Sequence, residues 1–271
     1  MSPIQRLSTA LVVSLTLAAI ACGGGGSSSP TSPTTSTTTN TTPTPTPTPT
    51  PVPTKSVAYE GTFSGASYVG SFTIAGDIPV SVAASTRSAA PSATSTATCT
   101  YHFSGTTVTN TVTGTYDSAT KTFSCANSTM TIAATIQTDA SVTGTTKVSQ
   151  PNGTQQSGVA AAPPKDVAVA PIHMCGTFSG GAGGRLTMTI TGDSVIGTAW
   201  DNGANDGTSV RGTFSKSTTI IRVSGPIGPN GKDGTVTAEG ALTDNILQTF
   251  ARGTWSNTLG EKGDWTVSKG C

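Results

Sequence analysis

The side chains best able to do chemistry are scarce in this 271-residue chain: five Cys, two His, three Trp and 13 Asp plus Glu. Cys22 stands far ahead of the other four and is followed by Gly23–Gly26 and Ser27–Ser29, a flexible tether that suits a thiol carrying an acyl anchor. Removing it leaves Cys99, Cys125, Cys175 and Cys271, an even number for disulfides. Of the three pairings that four cysteines allow, Cys99–Cys125 with Cys175–Cys271 is the expected one. His173-Met174-Cys175 offers half a metal site at best, and no Cys-x-x-Cys or His-x-x-x-His occurs, so neither a metal nor a cofactor is expected. Asp201 to Gly207 has the oxygen density of a calcium loop. Asp206 and Gly212 occupy the sixth and twelfth positions, where an EF-hand needs Gly and Glu, and a polar hairpin loop is expected instead. Eight acids fall within residues 173–271, mostly at turns, which reads as solvated loop charge rather than a glycosidic pair. Trp200, Trp255 and Trp265 have two readings: they line a ligand cavity, or they plug a small barrel with little else to fill it.

The elements that would position these groups are strands. Only 10% of residues are charged and 5% are aromatic, against 32 Gly, and Thr and Val are abundant throughout. That composition favours twisted antiparallel sheet over long helices. In Leu186-Thr-Met188-Thr-Ile190-Thr the apolar residues alternate with Thr, the period-2 sign of a strand with one buried face. Turn signals follow at short intervals: Gly192-Asp193, Asn202-Gly203, Asp206-Gly207, Asn230-Gly231 and Asp233-Gly234. Eight strand segments result, at 174–178, 185–191, 194–200, 208–214, 219–224, 234–242, 246–255 and 263–268. Connections this short allow only antiparallel neighbours, and eight such strands can close into a small barrel. A Cys175–Cys271 bridge would then clip the first strand to the last.

The chain also repeats itself. GTFSG occurs at 61–65 and at 176–180, SFTIAGD (71–77) parallels LTMTITGD (186–193), and residues 112–123 parallel 210–221. The extra residues of the first copy are expected in a long loop at 85–97. The predicted fold class is therefore all-β, two tandem up-and-down meanders forming small barrels, with one larger barrel or sandwich as the alternative. The predicted organisation is a signal peptide at 1–21, an anchored linker at 22–54, β-domains at 55–150 and 173–271, and a connection at 151–172.

Three resemblances add to this. The apolar stretch ending Leu17-Ala18-Ala19-Ile20-Ala21-Cys22 resembles the lipobox of bacterial lipoproteins, which implies diacylglycerol on the Cys22 thiol and a lipid bilayer as partner. About 15 residues is too short for a spanning helix, which needs roughly 20. Gly192-Asp193-Ser194-Val195 resembles the start of the GDSL hydrolase signature, but that family draws its base from an Asp-x-x-His, and neither His102 nor His173 lies in one. A turn is expected there, and no enzyme. Residues 176–214 look like the opening hairpins of avidin-like barrels, which implies an eight-stranded meander able to hold a small ligand. That family's polar contacts and paired tryptophans have no match, so no ligand residues are carried over.

Charge excludes one class of partner. Lys plus Arg is 14 against 13 acids, and loss of Arg6 with the signal peptide leaves the remainder neutral, so no nucleic-acid partner is expected. From Gly23 to Thr54 the chain is Gly, Ser, Thr and Pro, which cannot bury enough surface to fold. Fully extended, a linker of this length reaches on the order of 100 Å at about 3.1 Å per residue. The expectation is an extracytoplasmic lipoprotein, lipid-anchored to a bacterial membrane, with the outer membrane or cell surface favoured over the inner membrane. It would display β-domains to an unknown protein or glycan partner, or, as the alternative, carry a small molecule in a barrel.

Overall fold

The computed structural model describes residues 53–79, 94–165, 168–228, 231–244 and 249–271, and every element among them is a strand. The signal segment, Cys22 and the Gly/Ser/Thr/Pro tether lie outside the described residues, as does most of the 85–97 loop. Its last residues, Thr94 to Ala97, are already strand.

The first barrel is built from β1 (Thr54–Gly65), β2 (Val69–Pro79), β3 (Thr94–Phe103) and β4 (Asn110–Asp117), then β5 (Thr122–Ala126), β6 (Met130–Ile136), β7 (Val142–Ser149) and β8 (Gln155–Ala162). The second comprises β9 (Ile172–Gly180), β10 (Gly184–Thr191), β11 (Ser194–Asp201) and β12 (Asp206–Ser215), followed by β13 (Ile220–Ile227), β14 (Gly234–Asp244), β15 (Thr249–Asn257) and β16 (Lys262–Lys269). Each is a closed antiparallel meander in which consecutive strands pair and the last strand pairs with the first. Closure removes the exposed sheet edges that would template aggregation. The two separate circuits exclude a single merged barrel or sandwich. All eight segments expected in the second copy correspond to β9 through β16. The paired repeats fall on equivalent strands as well: GTFSG on β1 and β9, and 112–123 and 210–221 on the fourth and fifth strands of each barrel.

One boundary moves. Residues 151–172, expected as a connection, contain β8, which closes the first barrel by pairing with both β7 and β1. Beyond it the chain stays tied to β1: Lys165 N–H donates to the Ala58 carbonyl at 2.7 Å, and Pro164 bridges Tyr59. The missed strand is Gln155-Gln-Ser-Gly-Val-Ala-Ala-Ala, whose small residues carry almost no strand signal until a neighbouring wall covers them.

The two barrels fill their interiors differently. All four Tyr lie in the first, and its core packs Tyr59, Phe63, Phe72, Tyr101, Tyr116 and Phe123. Tyr116 and Phe123 approach to 4.7 Å between ring centres. Tyr68 reaches from the β1–β2 turn to donate to or accept from Thr146 Oγ1 at 2.9 Å, and burial pushes its hydroxyl up to about 12 despite that bond. The Cys99–Cys125 disulfide joins β3 to β5 across the inside of β4. Gly114 of β4 lies beneath it, and a Cβ there would meet Cys125 Sγ at 2.4 Å, so the bridge requires glycine at this position. In the second barrel Cys175–Cys271 clips the β9–β16 seam, with Cys175 in register with Ser268.

The barrels pack against each other through outward-facing residues. Thr62 and Ser64 of β1 meet Thr187 of β10 and Thr198 of β11 in a hydroxyl chain: Thr62–Thr187 at 2.8 Å, Thr187–Thr198 at 2.7 Å and Ser64–Thr198 at 2.7 Å. All four residues are fully buried. Ala161 of β8 and Ile196 of β11 are buried on the same outer faces. This corrects the single-faced reading of β10: Leu186, Met188 and Ile190 face the barrel interior, yet Thr187 and Thr189 are also fully buried, because the first barrel covers them. Short hydroxyls that satisfy one another can be buried at little cost, which is why Thr serves on this face.

Candidate functional site

Alternation decides where each tryptophan goes. On β15 and β16 the residues in register with interior positions are Trp255 and Trp265: Trp255 pairs with Ala238, and Trp265 with Gly253. Both indoles therefore enter the second barrel, and both are satisfied, Trp255 donating to the Ser179 carbonyl at 3.0 Å and Trp265 to that of Thr254 at 3.1 Å. Trp265 lies over Gly240, where a Cβ would sit 2.3 Å from its ring. Trp200 pairs with Arg185, on the outside, and is 3% exposed beside the first barrel. Its indole N–H is buried without a partner among the described residues. The three tryptophans thus do not form one set: two line the barrel interior, and one belongs to the packing between barrels.

The two interior rings do not fill their barrel. A cavity of about 400 Å³ remains between them and the opposite wall, lined by Phe178, Leu186, Val210 and Val223 among others. The reason is in the sequence of the inward positions. Gly197, Ala199, Gly212, Ala238, Gly240 and Gly253 alternate with the larger side chains, so the second barrel has few atoms to put in its middle. The first barrel has its aromatic rings packed there, edge-on or tilted, instead. Between the readings of plug and lining, the interior tryptophans fit lining at this end of the barrel.

The cavity opens where alternate turns gather. In an up-and-down barrel every second turn lies at the same end. The turns after β9, β11, β13 and β15 accordingly bring Ala182, Asp201, Asp206, Asp233 and Glu261 to one mouth. Leu259, 61% exposed, stands beside them. The acids read from sequence as solvated loop charge include four that share a rim. The signal that could have found them is turn parity: Asp193 and Asp244 belong to turns at the other end. Asp201 accepts from Gly203 N–H at 2.8 Å and Asp206 from Gly207 N–H at 2.7 Å, while Glu261 accepts from the Asn257 amide at 2.7 Å. Asn205 holds the left-handed backbone that closes the Asp201–Gly207 hairpin, at φ 52°.

The remaining candidates are spread through the fold. Gly192, at φ 61°, makes the β10–β11 turn, and Ser194 pairs with Thr213 at the start of β11. His102 points outward from β3 toward Ser71 Oγ, with Nδ1 at 3.2 Å. His173 sits between barrels, its Nε2 3.1 Å from Glu60 Oε1 and its Nδ1 3.2 Å from Thr189 Oγ1. Lys165 completes this cluster at 2.9 Å from Glu60. Burial alone would raise the Glu60 carboxyl, but the bonds and charges of Lys165 and His173 outweigh it and hold the group below its ordinary value. Asp139 behaves alike: burial is outweighed by Ser141 and by Arg211, which reaches across from β12. A shallower depression of about 790 Å³ on the outer sheet runs past Arg211, Arg222, Glu239 and Lys262. Its charges include the Arg222–Glu239 pair at 2.9 Å, and an exposed pair of this kind is a weak recognition element.

A scan against protein-family models finds none that matches this chain, and a search of curated proteins finds no matching relative. The cavity and its rim are therefore interpreted from their own chemistry.

Proposed function

We propose that this protein is a non-enzymatic, lipid-anchored extracytoplasmic lipoprotein whose second barrel binds a small, largely apolar molecule. The observation that carries the reading is the aromatic-lined cavity of the second barrel, beside a first barrel whose core is rich in aromatic rings. A volume near 400 Å³ lies within the range of small-molecule sites, which are mostly apolar with a few polar groups to orient the ligand. A tether from Cys22 would let this barrel act at a distance from the bilayer. The display reading shares that geometry but calls for a protein or glycan footprint, and among the described residues the outer strands of the second barrel offer paired surface charge, with Leu259 an isolated exposed large apolar side chain.

Two measurements test it. The exported chain carrying Cys22→Ser, freed of detergent, should bind members of a panel of apolar small molecules with a change in tryptophan emission, and native mass spectra should show the added mass. A silent panel together with a bare protein mass overturns the carrier reading and returns the search to macromolecular partners. For the anchor, a fatty-acid analogue should label the wild-type chain and not Cys22→Ser.

A further inference from the structure

We infer that the ligand of the second barrel is an amphiphilic organic cation, an apolar body ending in an ammonium or similar group. The inference rests on the binding role proposed above and names its substrate class. Four carboxylates, Asp201, Asp206, Asp233 and Glu261, line the mouth of the cavity, and no Lys, Arg or His lines it among the described residues. Asp201, Asp206 and Glu261 have neutral donors as partners, and none of the four is in an ion pair among the described residues. The basic residues nearest in sequence, Lys232 and Lys262, do not line the cavity. A cavity mouth lined by acids alone over a low-dielectric interior concentrates its field there and selects for the opposite charge.

The interior favours the same ligand. Phe178 and Trp255 meet edge to face at 5.8 Å, and Trp265 adds a third aromatic wall. Indole faces attract cations as well as burying apolar surface. An anionic or zwitterionic ligand would place a carboxylate against the rim acids at a cost. A bare metal ion is disfavoured by geometry, since among the described residues no three of His, Cys, Asp and Glu converge closely enough to ligate one. Dispersed carboxylates around an apolar well match a large monovalent head group with an apolar tail.

The test uses three probes with one apolar body: 4-phenylbutylamine, 4-phenylbutanol and 4-phenylbutyrate, titrated into the exported Cys22→Ser chain by calorimetry. The amine should bind about tenfold more tightly than the alcohol, a difference of about 1.4 kcal/mol, and 4-phenylbutyrate should bind least. Raising salt from 20 to 500 mM should weaken the amine and leave the alcohol unchanged. Asp206→Asn with Asp233→Asn should weaken the amine toward the affinity of the alcohol, and an unchanged far-ultraviolet circular dichroism spectrum reports that the barrel is intact. Equal or tighter binding of the alcohol in the wild-type chain overturns the cation assignment while keeping the cavity a binding site. If none of the three binds, the cation assignment fails, and the carrier reading fails with it where the apolar panel is silent and the protein mass bare.

Discussion

Two indoles of nearly equal burial differ in what their N–H groups do, and that difference has a measurable consequence. Trp265 donates to Thr254, whereas the Trp200 donor is buried beside the first barrel without a partner. A buried unmatched donor costs about 1–3 kcal/mol, while losing a satisfied bond costs roughly 1 kcal/mol. Trp200→Phe should therefore leave stability unchanged or raise it, and Trp265→Phe should lower it, by chemical denaturation under identical conditions. The opposite order would mean that Trp200 has a partner the packing conceals. At this scale the sequence was legible where a residue type has a narrow role. Gly192 and Asp193 make the turn expected of them, and the cysteines pair as expected. It was illegible for Trp200, because one tryptophan on an isolated strand has no mark of inside or outside until the register with Arg185 is fixed.

Each strand is weak alone, and the barrel is a property of closure. β16 is the last strand to join the meander and pairs with β9 by seven register positions, and the disulfide, with a sequence separation of 96, ties Cys175 within that register to Cys271 just after β16. In the chain-entropy model a bridge closing a loop of this length stabilises by about 4.7 kcal/mol. Cys175→Ser with Cys271→Ser should thus lower unfolding free energy by up to that amount. Hydrogen exchange should locate the loss at β16 and β9 first and leave β1 to β8 protected. Uniform loss across both barrels would show instead that the seam is not the site of opening. Element placement followed from alternation and turn chemistry in the second barrel, where Leu, Met and Ile mark every second position of β10. β8 escaped notice because Ala and Gly give no period to count.

For the molecule as a whole, the two barrels belong to one compact unit and share a buried polar seam. At its edge Glu60 is held by Lys165 and His173, and its folded value lies below the ordinary 4.5. A carboxyl depressed by folding contributes stability that is fully present above its unfolded value and is lost as pH falls through the lower folded value. Wild-type protein should therefore lose a stability advantage over Glu60→Gln as pH is taken from 6 to 3, with the two converging below 4.5. Thermal melts of both proteins across that range measure it, and curves separated by a constant amount would show that the Glu60 charge plays no part in holding the barrels together.

The sequence by itself determined what is local: all-β architecture from composition, strand faces from alternation, turns from Gly, Asp and Asn, and the disulfide pairing from where the cysteines stand along the meander. These follow from backbone preferences and spacings that act over a few residues. Only the tertiary structure decided that Thr187 and Thr198 are buried, that Trp200 faces outward, that β8 completes the first barrel, and that Asp201, Asp206, Asp233 and Glu261 share a mouth. Each depends on two distant stretches meeting. Closure of eight strands brings alternate turns to one end, and the packing of one barrel on another buries a face that period alone assigns to solvent.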